Sequence, residues 1–174
     1  MMLSTDPLGT ALASEPEVQE ADGRRAATPA SAPILVLDTN VVLDWLVFDD
    51  PGAAVVRAAI TSGRVRWLAS AAMREELQSV LGRPALQAWC PSPHPVLATW
   101  QRWVTMVEPE RTPAVARAPR CADPDDQKFI DLALQLGAHA LLSRDRAVLR
   151  LTRPARSLGL QITTAARWGS QTDR

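Results

Sequence analysis

Four acidic residues stand where the surrounding pattern expects apolar ones. Asp38 directly follows the run Ile34-Leu35-Val36-Leu37, and Asp145 follows "HALLS" in a similar way. Glu76 and Asp126 belong to helical patterns, and a wheel separates them from their neighbours. At about 100° per residue, Glu76 lies about 40° from Val80 and about 60° from Met73, whereas Glu75 lies about 140° from Val80. Glu75 therefore faces water and Glu76 shares the apolar stripe. Asp126 falls within about 40° of Ile130 and Ala133; Asp131 falls about 140° away, beside Lys128 and Gln135. Asp123, Asp125 and Asp126 all suit the first turn of a helix, where acids complement its dipole. That role does not explain why Asp126 heads the buried stripe.

Carboxylates turned inward repel one another and resist ionisation unless a cation joins them. The chain has two histidines, His94 and His139, too few for a histidine-rich metal site. An all-oxygen set suits hard cations, Mg²⁺ or Mn²⁺. Such ions activate water and stabilise charge developing on a phosphoryl group. No Gly-rich phosphate loop is present, which argues against nucleoside triphosphate hydrolysis. Phosphodiester hydrolysis of nucleic acid is the natural fit. A polyanion also needs basic groups beside the acids. The candidates are Arg111, Arg117 and Arg120 in a Pro-rich loop, and Arg144, Arg146, Arg150 and Arg153 around Asp145. Arg144, Arg146 and Arg120 lead as nucleic-acid contacts, each with a solvated surface as its alternative.

The elements that must position these groups alternate in type. "ILVLD" reads as a strand buried on both faces, as in a parallel sheet, and Asn40 as the cap of a short helix through Trp45. A helix from about Gly52 ends at Gly63. "VRWLAS" is a second strand, and Ser70 caps the helix "AAMREELQSVL". "PSPHPVLATWQRWVTMV" reads as a turn and a helix to about Val107. A Pro/Arg-rich loop precedes a helix capped by Asp123, with Pro124 in its first turn and Gly137 at its end. "HALLS" and "LQIT" are later strands. This alternation predicts an α/β fold with a mainly parallel sheet, in which function gathers at the carboxyl ends of the strands.

Residues 1–33 are rich in Ala, Pro, Ser, Thr and Glu without periodicity, and read as a disordered N-terminal tail. The domain is expected over 34–170. The tail carries five acids and two arginines, the remainder fourteen acids and seventeen bases, so the chain is neutral and its body mildly basic. Lys128 is its sole lysine; arginine binds phosphate bidentately, though genome base composition also enriches it. Cys90 and Cys121 stand far apart without CxxC spacing, which fits a reducing cytoplasm. No signal peptide or membrane-spanning run is evident.

"LVLDTNVVLDWL", "SAAMREELQSVLGRP" and "CADPDDQKFIDLALQLGAHALLSRDRAVL" resemble the PIN-domain nucleases, from about Ile34 to Trp168. They are most similar to the branch assigned as toxin components of toxin–antitoxin systems. The resemblance implies a three-layer fold with a five-stranded parallel sheet in the order 3-2-1-4-5 flanked by helices. It also implies a Mg²⁺- or Mn²⁺-dependent endoribonuclease acting on single-stranded or structured RNA. The family's four acids match Asp38, Glu76, Asp126 and Asp145, with Asp123 a further contributor. Its neighbouring polar residues match Thr39, Asn40 and Ser143, which would orient the ligands through hydrogen bonds. An antitoxin protein and a homodimer are the partners implied, with no membrane. The alternatives are a catalytically silent PIN-like RNA-binding domain and a haloacid-dehalogenase-like phosphatase. The phosphatases need a second Asp two residues after the first, where this chain has Asn40. A receiver domain fits poorly, because "DPDD" opening a helix does not suit one.

Overall fold

The computed structural model describes residues 31–172. Residues 1–30 of the expected tail lie outside the described residues. Five short parallel strands form one sheet: β1 (Ile34–Leu37), β2 (Arg66–Ala69), β3 (Val104–Met106), β4 (Ala140–Leu142) and β5 (Gln161–Thr163). Their order is β3-β2-β1-β4-β5, as the resemblance implied. The register sets Leu35 beside Trp67 on one side and Ala140 on the other. Leu35, Val36 and Leu37 are at most 2% exposed; a central strand covered on both faces needs unbroken apolar sequence.

The helices are α1 (Thr39–Leu46), α2 (Ala54–Thr61), α3 (Ala71–Leu81), α4 (His94–Trp103), α5 (Pro113–Ala116), α6 (Gln127–Gln135), α7 (Arg146–Leu149), α8 (Thr152–Arg156) and α9 (Ala165–Thr172). α6 packs on β1 and β4 and touches α3; α1 meets α3 and α4, and α2 packs against α9. The apolar stripe of α6, Phe129, Ile130, Leu132 and Ala133, is buried. Two helix ends are set by glycine. Gly63 (φ 74°) and Gly137 (φ 56°) take the left-handed conformation. After Gly137, the amide of Ala138 donates to Ala133 and that of Gly137 to Leu134, the double bond that closes a helix before a sharp exit. The exit leads into β4 and so fixes where its far end delivers Asp145.

Several local expectations shift. α1 begins at Thr39 and its cap is Asp38, whose carboxylate accepts from the Asn40 amide. The strand passes straight into the helix, so the cap falls two residues earlier than Asn40. Ser70 stands at the cap position of α3 but makes no capping hydrogen bond. The helix expected to reach Val107 stops at Trp103, because Val104-Thr105-Met106 pairs with β2 as the edge strand β3. The Asp123-capped helix opens with a 3₁₀ turn, Pro124–Asp126, before α6. Among the described residues, no helix is long and apolar enough to cross a membrane.

Candidate functional site

The centre of the sheet supplies the most rigid part of the site. β1 and β4 are neighbours, and the strand order reverses between them, so a crevice opens at their carboxyl ends. Asp38 leaves β1 there. Its amide donates to the Leu142 carbonyl at 2.9 Å, continuing the ladder with β4. The residue is 3% exposed. Its Oδ2 accepts from Ser143 Oγ at 2.5 Å and Asn40 Nδ2 at 2.8 Å, while Oδ1 accepts only the Asn40 amide at 3.3 Å. All three donors are neutral, and among the described residues Asp38 makes no ion pair. Burial, the leading cause, pushes its pKa up against these hydrogen bonds, and the nearby Glu76 adds to the rise.

The donors to Asp38 are held in turn. Ser143 is fully buried, and its Oγ accepts from the Asp145 amide at 2.9 Å. Asn40 Oδ1 accepts from the Arg144 amide at 3.1 Å. One serine and one asparagine thus tie the end of β1 to the turn after β4. Thr39 is buried alongside but supplies none of the hydrogen bonds to Asp38. Asp145 is exposed and caps α7, accepting from the Ala147 amide at 2.6 Å and more weakly from that of Val148.

The remaining acids come from the middle of α3 and the entrance to α6, and line a cavity of about 450 Å³ that includes Glu76, Asp123, Asp126, Arg83 and Lys128. Glu76 is half-buried and Glu75 exposed. Asp123 accepts from the Asp125 amide at 2.9 Å. Asp126 is half-buried, and its pKa rises to about 6, first from burial and then from the charges of Asp38, Asp145, Asp123 and Glu76. The dispersed positions 38, 76, 123 and 145 therefore all lie within electrostatic reach of Asp126.

Lys128 is the group the helical wheel misplaced. The wheel set it on the watery face with Asp131, yet its ammonium reaches Glu76 Oε2 at 2.5 Å and the Asp125 carbonyl. A wheel follows the direction of Cβ, whereas a lysine ends four methylenes further on. Its being the sole lysine was the available signal. Asp44 was also overlooked. It is ion-paired to Arg144 at 3.2 Å, and burial raises its pKa against that partner. Arg144 is therefore engaged within the protein, whereas the exposed Arg146 and Arg120 make no ion pair among the described residues.

A family model described as PIN domain matches residues 34–147. The chain belongs to the PIN-domain family. Asp38, Glu76, Asp126 and Asp145 all lie inside the matched segment of the PIN domain, and PIN domains are generally nucleases. The fold is similar to the structure of the T. brucei RRP44 PIN domain, at 11% identity over 82% of each chain with a TM-score of 0.41. No curated protein matches the sequence.

The donor set fits a hard divalent cation in kind: carboxylate oxygens, with a buried Asp38 that has no cationic partner among the described residues. Among the described residues, no three His, Cys, Asp or Glu side chains converge closely enough to hold an ion as they stand. The hydrogen bonds supply a physical reason. Glu76 is drawn to Lys128, Asp123 to the turn it caps, and Asp145 to the first amides of α7.

Proposed function

We propose that this PIN domain is a Mg²⁺- or Mn²⁺-dependent endoribonuclease that hydrolyses phosphodiester bonds of single-stranded or structured RNA. The observation that carries the reading is Asp38. It is a nearly fully buried carboxylate, met only by neutral donors, with Glu76 and Asp126 in electrostatic reach at the sheet's switch point. A buried charge without a counter-charge is costly, and a cation is the partner it lacks. Asp38, Glu76, Asp126 and Asp145 would hold the ion, with Asp123 contributing. When bound, the ion supplies an activated water and stabilises charge on the phosphoryl oxygens. Ser143 and Asn40 keep the Asp38 carboxylate in one orientation, and Arg146 and Arg120 offset the repulsion between the acids and the RNA backbone.

The likeness of three sequence blocks to toxin-branch PIN domains supports a toxin role in a toxin–antitoxin pair. That role entails a cytoplasmic protein with an antitoxin partner, and a homodimer is compatible with it. The PIN match displaces the phosphatase alternative. The Glu76–Lys128 pair favours one second reading, a catalytically silent RNA-binding domain in which lysine takes the ion's place.

Cleavage of a short single-stranded RNA, with and without Mg²⁺ or Mn²⁺, separates the two. We expect ion-dependent cleavage that falls by roughly 10²–10³-fold in Asp38→Asn, the scale for losing one group that stabilises developing charge. Circular dichroism should show the fold retained. Wild-type protein that binds RNA but leaves it intact with either ion would establish the silent reading.

A further inference from the structure

A second groove, of about 460 Å³, adjoins the carboxylate cavity at Lys128, which lines both. Its volume is within the roughly 300–1,000 Å³ of small-ligand pockets. One wall is the Pro/Arg-rich segment around α5, and the other is α6 with the start of α3. Its apolar lining is Ala72, Val115, Ala116 and Leu132, of which Leu132 is buried, Val115 half-buried and the two alanines exposed, and Glu110 adds an exposed carboxylate. Arg111 and Arg120 stand at its rim, both exposed and neither in an ion pair among the described residues.

The groove is built in advance. Two glutamines on one stripe of α6 fasten the opposite wall to the helix. Gln127 Oε1 accepts from the Cys121 amide at 2.8 Å, and its Nε2 donates to the Pro119 carbonyl at 3.2 Å. Gln135 Oε1 accepts from the Glu110 amide at 2.8 Å, and its Nε2 donates to the Glu108 carbonyl at 2.9 Å. The loop is therefore held at both ends of the groove. Asp131, between the two glutamines, is occupied by Gln127 Nε2 at 2.8 Å. Ser70, 1% exposed, lines the groove with a hydroxyl that caps nothing.

We infer that this groove is a nucleotide subsite: it takes a nucleobase on its apolar floor and the attached phosphate on Arg111 and Arg120. The choice of ligand rests on the ribonuclease reading. An apolar slot with two unpaired guanidiniums at its rim matches a flat, weakly polar base joined to a phosphate. Its shared wall with the carboxylate cavity puts that nucleotide next to the phosphodiester at the acids. The Pro/Arg-rich segment then acts as a clamp on one unstacked residue of the strand, beyond attracting the backbone by charge.

The test uses the full chain and needs no cleavage. Adenosine 5′-monophosphate is titrated by amide chemical shift against ribose 5-phosphate and inorganic phosphate. The mononucleotide should perturb Ala72, Val115 and Ala116 and bind about five- to tenfold tighter than ribose 5-phosphate, through burial of the base. Arg111→Gln/Arg120→Gln should abolish the response. Ala116→Phe, which keeps both charges but fills the floor, should do the same. Arg156→Gln, beside β5, should leave it unchanged. For a short single-stranded RNA in Ca²⁺, the double variant should flatten the log–log salt slope by about 0.7, the value for one lost phosphate contact. Equal binding of all three ligands, or shifts absent from these amides, would overturn the subsite. Groove binding in a protein that cleaves no RNA would refute the nuclease reading while supporting this one. Cleavage without any groove response would do the reverse.

Discussion

The carboxylates fall into two groups that the fold treats differently. Asp38 sits in the sheet's own register, with its amide in the ladder to β4 and its side chain fixed by Ser143 and Asn40. Glu76 and Asp126 come from a helix and a helix entrance, both half-buried. Glu76 is held by a lysine, Lys128. The first group is oriented by two neutral donors; in the second, Glu76 is paired with the long side chain of Lys128, and burial and neighbouring carboxylates raise the pKa of Asp126. The contrast suggests that one half of an ion site is made by folding and the other half is completed by the ion.

Removing the support of the rigid half should have the larger effect. Ser143→Ala deletes a buried hydroxyl that donates to Asp38 and accepts from the Asp145 amide, so one change loosens both strand ends. Ion-dependent cleavage should fall by roughly 10–100-fold, the usual scale for groups that orient metal ligands. Stability should drop by about 1–3 kcal/mol, because partners are left unsatisfied in a buried place. Single-turnover cleavage and denaturant unfolding measure the two. A variant that loses stability alone would show that Asp38 needs no orientation from Ser143.

The mobile half should respond in the opposite direction. Lys128→Met removes the cation that competes for Glu76, with both side chains about a quarter exposed. An ion pair at such a site is worth about 0.2–1 kcal/mol. Mn²⁺ binding measured by calorimetry without RNA should therefore tighten, by up to about fivefold. Unchanged or weaker binding would mean that Lys128 and the ion do not contend for the same carboxylate, and the two halves would no longer differ in this way.

The same division decided what the sequence could reveal. The apolar run ending at Asp38 and the stripe on α6 are local patterns, and they give the central strand and the main helix; the sheet order came only from the family resemblance. The burial of Glu76 relative to Glu75 follows from helical geometry alone. Where partners come from afar, local reasoning fails. Val104-Thr105-Met106 continues a helical pattern and becomes a strand only because β2 lies beside it. Asn40 suits a cap by type, but its side chain is drawn to Asp38 and to Arg144, across 104 residues. Lys128 and the Asp44–Arg144 pair were hidden for the same reason: a long side chain chooses its partner in three dimensions.

The smallest expected effect is on stability against pH without added metal. The folded pKa of Asp126 is raised to about 6 from the ordinary 3.8, by burial and then by neighbouring carboxylates. A folded state that binds the proton more tightly than the unfolded chain gains stability from protonation. This contribution is complete below about 3.8 and is lost as pH rises through about 6. Asp38 shifts in the same direction for the same leading cause. Over pH 5 to 7, wild-type protein should therefore lose thermal stability relative to Asp126→Asn, which carries no titrating group at that position. Subtracting the two melting curves removes the contribution of Asp44, which burial also shifts upward. Millimolar Mg²⁺ or Mn²⁺ at pH 7 should restore what wild type loses and do less for the variant, because binding to the folded state alone stabilises it. A wild-type-minus-variant difference that stays flat from pH 5 to 7 would mean that Asp126 is better solvated than its neighbours imply. The crowding of acids around it would then not be what calls for a cation.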